Sequence, residues 1–250
     1  MSAAIGMEVL KTKGRKIWLV VAVMMAVQLL WAGWAISNKD ANELAQGWLF
    51  FLYQFPMLNC IIMPVIAAVV ASRLSDVEHQ GQTFKLLETI IPAQRIFAAK
   101  FIWGSIYMLG AALGQLAIMI GMGFVLHFGG PVPWGALAGY LFFTLVVSLT
   151  IYIFQQGVSM LVANQMVPMT LGLVGGFIGL FSMFFPQGFQ KLILWSYYGV
   201  LMQVGMNWDE TTRAVDFYWT ATDWSGLGLI LVFFVLIYGI GRILFVRKEV

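Results

Sequence analysis

Six apolar runs, each about as long as a bilayer crossing, alternate along this chain with gaps, and basic residues concentrate at the two ends of the chain and in the second gap. A helical crossing needs about 20 mostly apolar residues, and unpaired backbone groups are costly in lipid. The runs fall near 17–36, 46–72, 101–126, 136–162, 168–185 and 226–246. Only 10% of the 250 residues are charged and 61% are apolar, against roughly 25% charged in soluble domains. A membrane barrel would show segments of about ten residues with alternating polarity, and none appear. The expected fold class is an all-α polytopic membrane protein with six transmembrane helices, forming a single domain over 1–250.

Charge placement gives an expected orientation. Lys11, Lys13, Arg15 and Lys16 precede the first run; Arg73, Lys85, Arg95 and Lys100 fill the second gap; Arg242 lies close to the end of the last run, and Arg247 and Lys248 follow it. The opposite side has only Lys39, Lys191 and Arg213. Short cytoplasmic loops carry the excess of Lys and Arg, so both termini are expected in the cytoplasm. The net charge of +3 then reports topology, and no nucleic-acid partner is expected. Trp18 and Trp103 fall at the predicted inner interface, and the other eight tryptophans at or near the outer one, the amphipathic rings favouring both. The first run is too long for a signal-peptide core, and Trp31 and Trp34 occupy the place of a cleavage site, so it reads as a signal anchor.

Residues 3–16 read as a short interfacial helix, with Ile5, Met7, Val9 and Leu10 apolar among charged neighbours. The fifth gap, 186–225, is the largest. Its first part, Gly188 to Val204, is apolar enough to suggest short outer helices lying in or dipping into the leaflet. Its second part carries Asp209, Glu210, Asp216 and Asp223 among Trp208, Phe217, Tyr218, Trp219 and Trp224, an acidic and aromatic outer cap. Glycine pairs such as Gly172 and Gly176 mark faces where helix backbones can approach closely.

Between the second and third runs, a helix is expected over 76–92. Val77, Phe84, Leu87 and Ile91 form an apolar stripe, while Asp76, Gln80, Thr83, Lys85 and Glu88 lie largely off it. Pro92 ends it, because the residue before proline avoids the helical region. Such a helix either lies on the membrane and connects two spans, or inserts its stripe into a groove on a soluble partner.

Glu78, Gly81, Thr83, Lys85, Leu86 and Leu87, followed by Pro92, Arg95 and Lys100, resemble the corresponding segment of ABC-2 type transporter permeases. The resemblance covers about 25 residues at motif level and the whole chain in architecture. The wording E-H-Q-G-Q-T-F-K-L-L is similar to the branch of lantibiotic and bacitracin self-protection permeases, with Gln82 separating Gly81 from Thr83. It implies a cytoplasmic coupling helix, containing those residues and Phe84, that contacts a cytosolic ABC ATPase. It further implies two ATPase copies, a second permease that is identical or a sister subunit, and a bacterial cytoplasmic membrane.

No G-x-x-x-x-G-K-[ST] phosphate loop occurs. No cofactor is expected in this chain, and ATP and Mg would belong to the partner ATPase. His79 and His127 fall on opposite predicted sides without accompanying Cys or carboxylate clusters, so no metal site is expected. No Ser-His-Asp or Cys-His set assembles on one side, which disfavours a hydrolase. The spans hold few ionisable groups but carry Gln28, Asn59, Gln115, Gln155, Gln156 and Ser159. These read as interhelical hydrogen bonds; alternatively Asn59, Gln155 and Gln156 line a cargo surface between protomers. The outer carboxylates Asp209, Glu210 and Asp216, with Trp219, are either a solvated rim or an attractor of cationic amphipathic peptide. The expected function is the permease of an ATP-driven exporter of a lantibiotic-like or other membrane-active peptide. The alternatives are a lipid, drug or other hydrophobic cargo, or a scaffold that transports nothing.

Overall fold

A computed structural model describes residues 2–37, 44–81, 87, 89–208 and 215–248. The described helices are α1 (Ser2–Thr12), α2 (Ile17–Ser37), α3 (Gly47–Gly81), α4 (Ala93–Val125), α5 (Trp134–Leu161), α6 (Met166–Ser182), α7 (Gln187–Gln190), α8 (Tyr197–Val200) and α9 (Trp224–Arg247), with a 3-10 turn at Leu194–Ser196. Strands β1 (Val204–Trp208) and β2 (Val215–Trp219) lie between α8 and α9.

Five helices, α2, α3, α4, α5 and α9, are long and apolar enough to cross a membrane. The run expected at 168–185 forms α6, which at 17 residues is shorter. Helix α3 is the hub of the bundle and packs against α2, α4, α5 and α6. Helices α2 and α9 leave most of their surface uncovered, as lipid-facing helices do.

Pro56 and Pro64 both lie inside α3. A proline has no N–H to offer the carbonyl four residues before it, so Pro64 leaves the Cys60 carbonyl without its usual helical partner. Helix α6 approaches at that level: a Cβ on Gly176 would lie 2.9 Å from the Cys60 oxygen, and one on Gly172 2.5 Å from the Ala68 Cβ. Only glycine permits this approach. Between α1 and α2 the chain turns at Gly14, whose φ of 99° suits a residue without a Cβ.

Three expectations are corrected by the fold. The segment 76–92 is not a separate helix throughout, because α3 continues unbroken to Gly81. Nothing from Ala71 to Gln80 interrupts a helix, and Leu74, Ser75 and Glu78 are buried by neighbouring elements. Likewise α4 starts at Ala93, directly after Pro92, several residues before the expected 101. The chain is also not all-α. Strands β1 and β2 pair antiparallel, with Val204 opposite Trp219, Met206 opposite Phe217 and Trp208 opposite Val215. Those six apolar residues alternate along both strands, a period of two that suits a half-buried sheet. Phe217 anchors the hairpin against Phe50 and Tyr53 of α3. Before it, the short helical pieces α7, Leu194–Ser196 and α8 occupy the stretch where short outer helices were expected.

Candidate functional site

At the end of the bundle that holds α1, four charged side chains from three elements converge. Lys100 in the second turn of α4 donates to Glu78 Oε1 (2.8 Å), Glu8 Oε2 (2.9 Å) and the Leu74 carbonyl (2.6 Å). Lys11 donates to Glu78 Oε1 (2.9 Å) and Glu8 Oε1 (3.3 Å). Lys100 and Glu78 are 0% exposed and Glu8 is 1% exposed. Two ammonium groups face two carboxylates, so the cluster is neutral. Glu78 Oε2 has no hydrogen-bond partner among the described residues. Tyr152 of α5 donates to the Lys100 carbonyl at 3.0 Å, extending the cluster to a fourth element.

Further polar ties surround this cluster. Arg15 pairs with Asp76 at 3.2 Å, and Trp103 Nε1 donates to Thr12 Oγ1 at 3.0 Å. His79 Nε2 lies 2.9 Å from the Ser159 carbonyl. Lys248 donates to the Met160 and Leu161 carbonyls (3.2 and 3.1 Å), where the last turn of α5 leaves acceptors without intrahelical donors. Arg242 hydrogen-bonds Gln94. The arrangement holds no nucleophile–base pair; what it can do is make α1, α3 and α4 move together.

The residues expected to couple to an ATPase divide by exposure. Glu78 and Lys100 are turned inward against α1, and Leu87 is buried in a cluster with Ile96, Phe97, Met160 and Phe245. Gly81, Pro92 and Arg95 are exposed, as is Ile90 at 73%. Thr83, Phe84, Lys85 and Leu86 lie outside the described residues. The sequence reading missed Glu8 and Lys11 as partners of Glu78. Its only signal for them was a lone carboxylate within a basic N-terminal helix.

Most polar side chains of the spans pair across helices of the same chain, while Gln156 Oε1 and Ser159 Oγ have no partner among the described residues. Asn59 Nδ2 donates to Gln115 Oε1 (3.1 Å) and Tyr140 Oη (3.0 Å). Gln115 Nε2 donates to Asn59 Oδ1 (2.7 Å) and Gln28 Oε1 (2.9 Å), and the Tyr140 hydroxyl donates to Gln115 Oε1 (2.7 Å). This buried ring joins α2, α3, α4 and α5. Gln155 and Gln156 are elsewhere. The Gln155 amide, its nitrogen 2.9 Å from the Pro168 carbonyl and its oxygen 3.1 Å from Gly172 N, ties α5 to α6. Gln156 donates to the Phe97 carbonyl at 2.9 Å. Asn59, Gln155 and Gln156 are therefore all buried, and the structure does not bring Asn59 together with the other two.

At the opposite end, Gln46 fastens the hairpin, donating to Asp216 Oδ1 (2.9 Å) and accepting from Phe217 N (3.2 Å). Asp216 is exposed, and Trp219 is 52% exposed. Asp209 and Glu210 lie outside the described residues. Asp223 caps α9: its Oδ1 accepts from Ser225 Oγ (2.6 Å) and Gly226 N (2.9 Å), and Lys191 lies 2.6 Å from its Oδ2. Burial works to raise the Asp223 pKa, but these bonds and the Lys191 charge outweigh it and bring it down to about 2. Beside the hairpin foot opens a cleft of about 600 Å³ lined by Tyr53, Met57, Phe181, Met183, Gln187, Gln190, Met202, Met206 and Thr220, among others.

These features define a helical membrane protein whose apolar interior holds an uncharged ring of amides, with a buried ionic cluster at one end and the Lys191–Asp223 pair at the other. The family described as ABC-2 family transporter protein matches residues 4–179. The chain belongs to this ABC-2 transporter family, whose permeases are membrane components that work with a separate ATPase subunit. The chain matches no curated protein.

Proposed function

We propose that this chain is the permease subunit of an ATP-driven exporter in a bacterial cytoplasmic membrane. It works with two ATPase subunits and a second permease, identical or a sister, and expels a lantibiotic-like or other membrane-active peptide antibiotic. Six helices span the bilayer, both termini face the cytoplasm, and the hairpin faces outward. ATP and Mg belong to the ATPase.

The observation that carries this reading is the buried Lys100–Glu78–Glu8 cluster. It joins the interfacial helix to the two helices that flank segment 82–92. A push on that segment by a closing ATPase pair reaches α1, α3 and α4 as one body, and the spans above repack between two states. The exposed positions Gly81, Ile90, Pro92 and Arg95 meet the ATPase, while Glu78, Lys100 and Leu87 hold the segment from behind. A lipid or other hydrophobic cargo is the second reading. It is favoured by an apolar groove of about 270 Å³ between α5 and α9, lined by Ile153, Gly157, Leu161, Ile240 and Leu244 among others.

Cells lacking the chain, with the ATPase intact, are expected to become selectively sensitive to a cationic membrane-active peptide. The native chain restores resistance; Arg95→Glu does not, and it reduces ATPase co-purification several-fold without lowering the melting temperature. Unchanged sensitivity across a broad peptide panel would reject the peptide cargo, and normal ATPase co-purification by Arg95→Glu would reject the docking role.

A further inference from the structure

The hairpin has one edge covered and one edge open. Phe217 N–H donates to the Gln46 side chain at 3.2 Å, so the backbone groups of Phe217 point away from β1. Thr220 N–H donates to the Gln203 carbonyl at 2.9 Å, so Thr220 points inward. The two observations agree in parity, because inward and outward backbone groups alternate along an antiparallel pair. Opposite Phe217 lies Met206, and opposite Val215 lies Trp208. Met206 and Trp208 therefore direct their N–H and C=O groups away from β2, along the far edge of β1. No described residue pairs with them. Met206 is 43% exposed.

That open edge borders the cleft of about 600 Å³, since Val204, Gly205 and Met206 form part of its wall. Met57, Met183 and Met202 also line it, with Phe181. Thioether side chains repack around apolar groups of differing shape. In sequence, the stretch 204–219 carries Asp209, Glu210 and Asp216 with Arg213 as its one basic residue, a local excess of negative charge. An open strand edge recognises an extended backbone of any sequence, while the cleft takes alternate side chains.

We propose that the free edge of β1 captures an extended segment of a cationic amphipathic peptide as a third strand, seating its apolar side chains in the methionine-lined cleft. The proposal rests on the peptide-cargo reading above and names where that cargo is first held. Backbone pairing supplies affinity without sequence specificity, and the acidic hairpin selects for basic residues.

The test uses the full chain in nanodiscs of phosphatidylcholine and a fluorescent peptide of alternating Leu and Lys. Its fully N-methylated counterpart keeps the side chains and charge but has no N–H donors. The native chain is expected to bind the N-methylated peptide about tenfold more weakly, as the loss of one or two net hydrogen bonds gives. Partition into lipid would give equal or tighter binding of the more apolar methylated peptide. Met206→Pro removes an outward N–H while leaving the β1–β2 ladder intact. It is expected to weaken the unmethylated peptide by a similar factor, and Met206→Leu to stay within about twofold. Equal affinity of the two peptides for the native chain would overturn the strand-edge proposal and leave the cargo reading standing. Failure of both peptides to bind the native chain would overturn the cargo reading and this proposal with it.

Discussion

Replacing Lys100 with methionine tests the charge cluster most severely. Methionine has a volume near that of the lysine stem, so packing changes little, but the ammonium that serves Glu8, Glu78 and the Leu74 carbonyl is lost. Two carboxylates with essentially no solvent exposure would then share only Lys11, which is itself partly exposed. Removing one partner from a buried ionic group costs about 3–5 kcal/mol, because the remaining charge is left desolvated. For a chain of this size each kcal/mol corresponds to roughly 2–4 °C in melting temperature, so Lys100→Met is expected to melt roughly 6–20 °C lower. The triple variant Glu8→Gln, Glu78→Gln, Lys100→Met leaves no buried charge. It should recover most of that loss, because buried ion clusters exchanged for neutral residues are often neutral to stability. The assay is thermal unfolding of the detergent-solubilised chain, read as a midpoint at fixed scan rate because unfolding of such proteins is commonly irreversible. A single variant within about 1 °C of native, or a triple variant no better than the single, would refute the electrostatic account.

Three other predictions concern stability away from this cluster. Gly176→Leu is expected to destabilise the chain by about 1–3 kcal/mol through overpacking against the Cys60 carbonyl. Gly110→Ala, with nothing within 4 Å of the new Cβ, should be neutral or slightly stabilising in the same melting assay. The Asp223 cap should show in a pH series. Its folded pKa is lowered to about 2 from an unfolded value of about 3.9, so its stabilisation is fully present above about pH 4. That stabilisation is lost as pH falls through about 2, and the melting difference between native and Asp223→Ala should shrink over that window. A difference unchanged down to the folded pKa would rule out the titrating cap.

The hydropathy pattern made the spans legible because each apolar run must become a helix in lipid, and five long helices occupy those runs. The hairpin was legible in principle. Val204, Met206 and Trp208, then Val215, Phe217 and Trp219, alternate over only five residues on each strand, too short to stand out within a stretch of mixed aromatic and charged residues. Local sequence could not reveal the ring of Gln28, Asn59, Gln115 and Tyr140. Its hydrogen-bonded pairs are 25 to 87 residues apart, and each residue alone reads as an isolated polar residue in a span. Nor could the segment after Arg73 be separated correctly from α3, since helical propensity runs through it and burial by α1, not any break, decides its role.

The lengths of α3 and α4 explain how a fully buried lysine is tolerated. With 35 and 33 residues, each helix is roughly 50 Å long at 1.5 Å per residue, well beyond the ~30 Å of a hydrocarbon core. Because Glu78 near the end of α3 touches Lys100 near the start of α4, the surplus of both helices lies at the same end of the bundle. The charges are thus carried past the apolar stretches of their helices, and protein covers them there. Helix α1 contributes that cover and one of the carboxylates. If α1 peeled away, Glu78 and Lys100 would meet water and lose Glu8 and Lys11 at once. The cluster therefore ties the position of α1 to the geometry of the α3–α4 connection, and a displacement of one carries an electrostatic cost at the other.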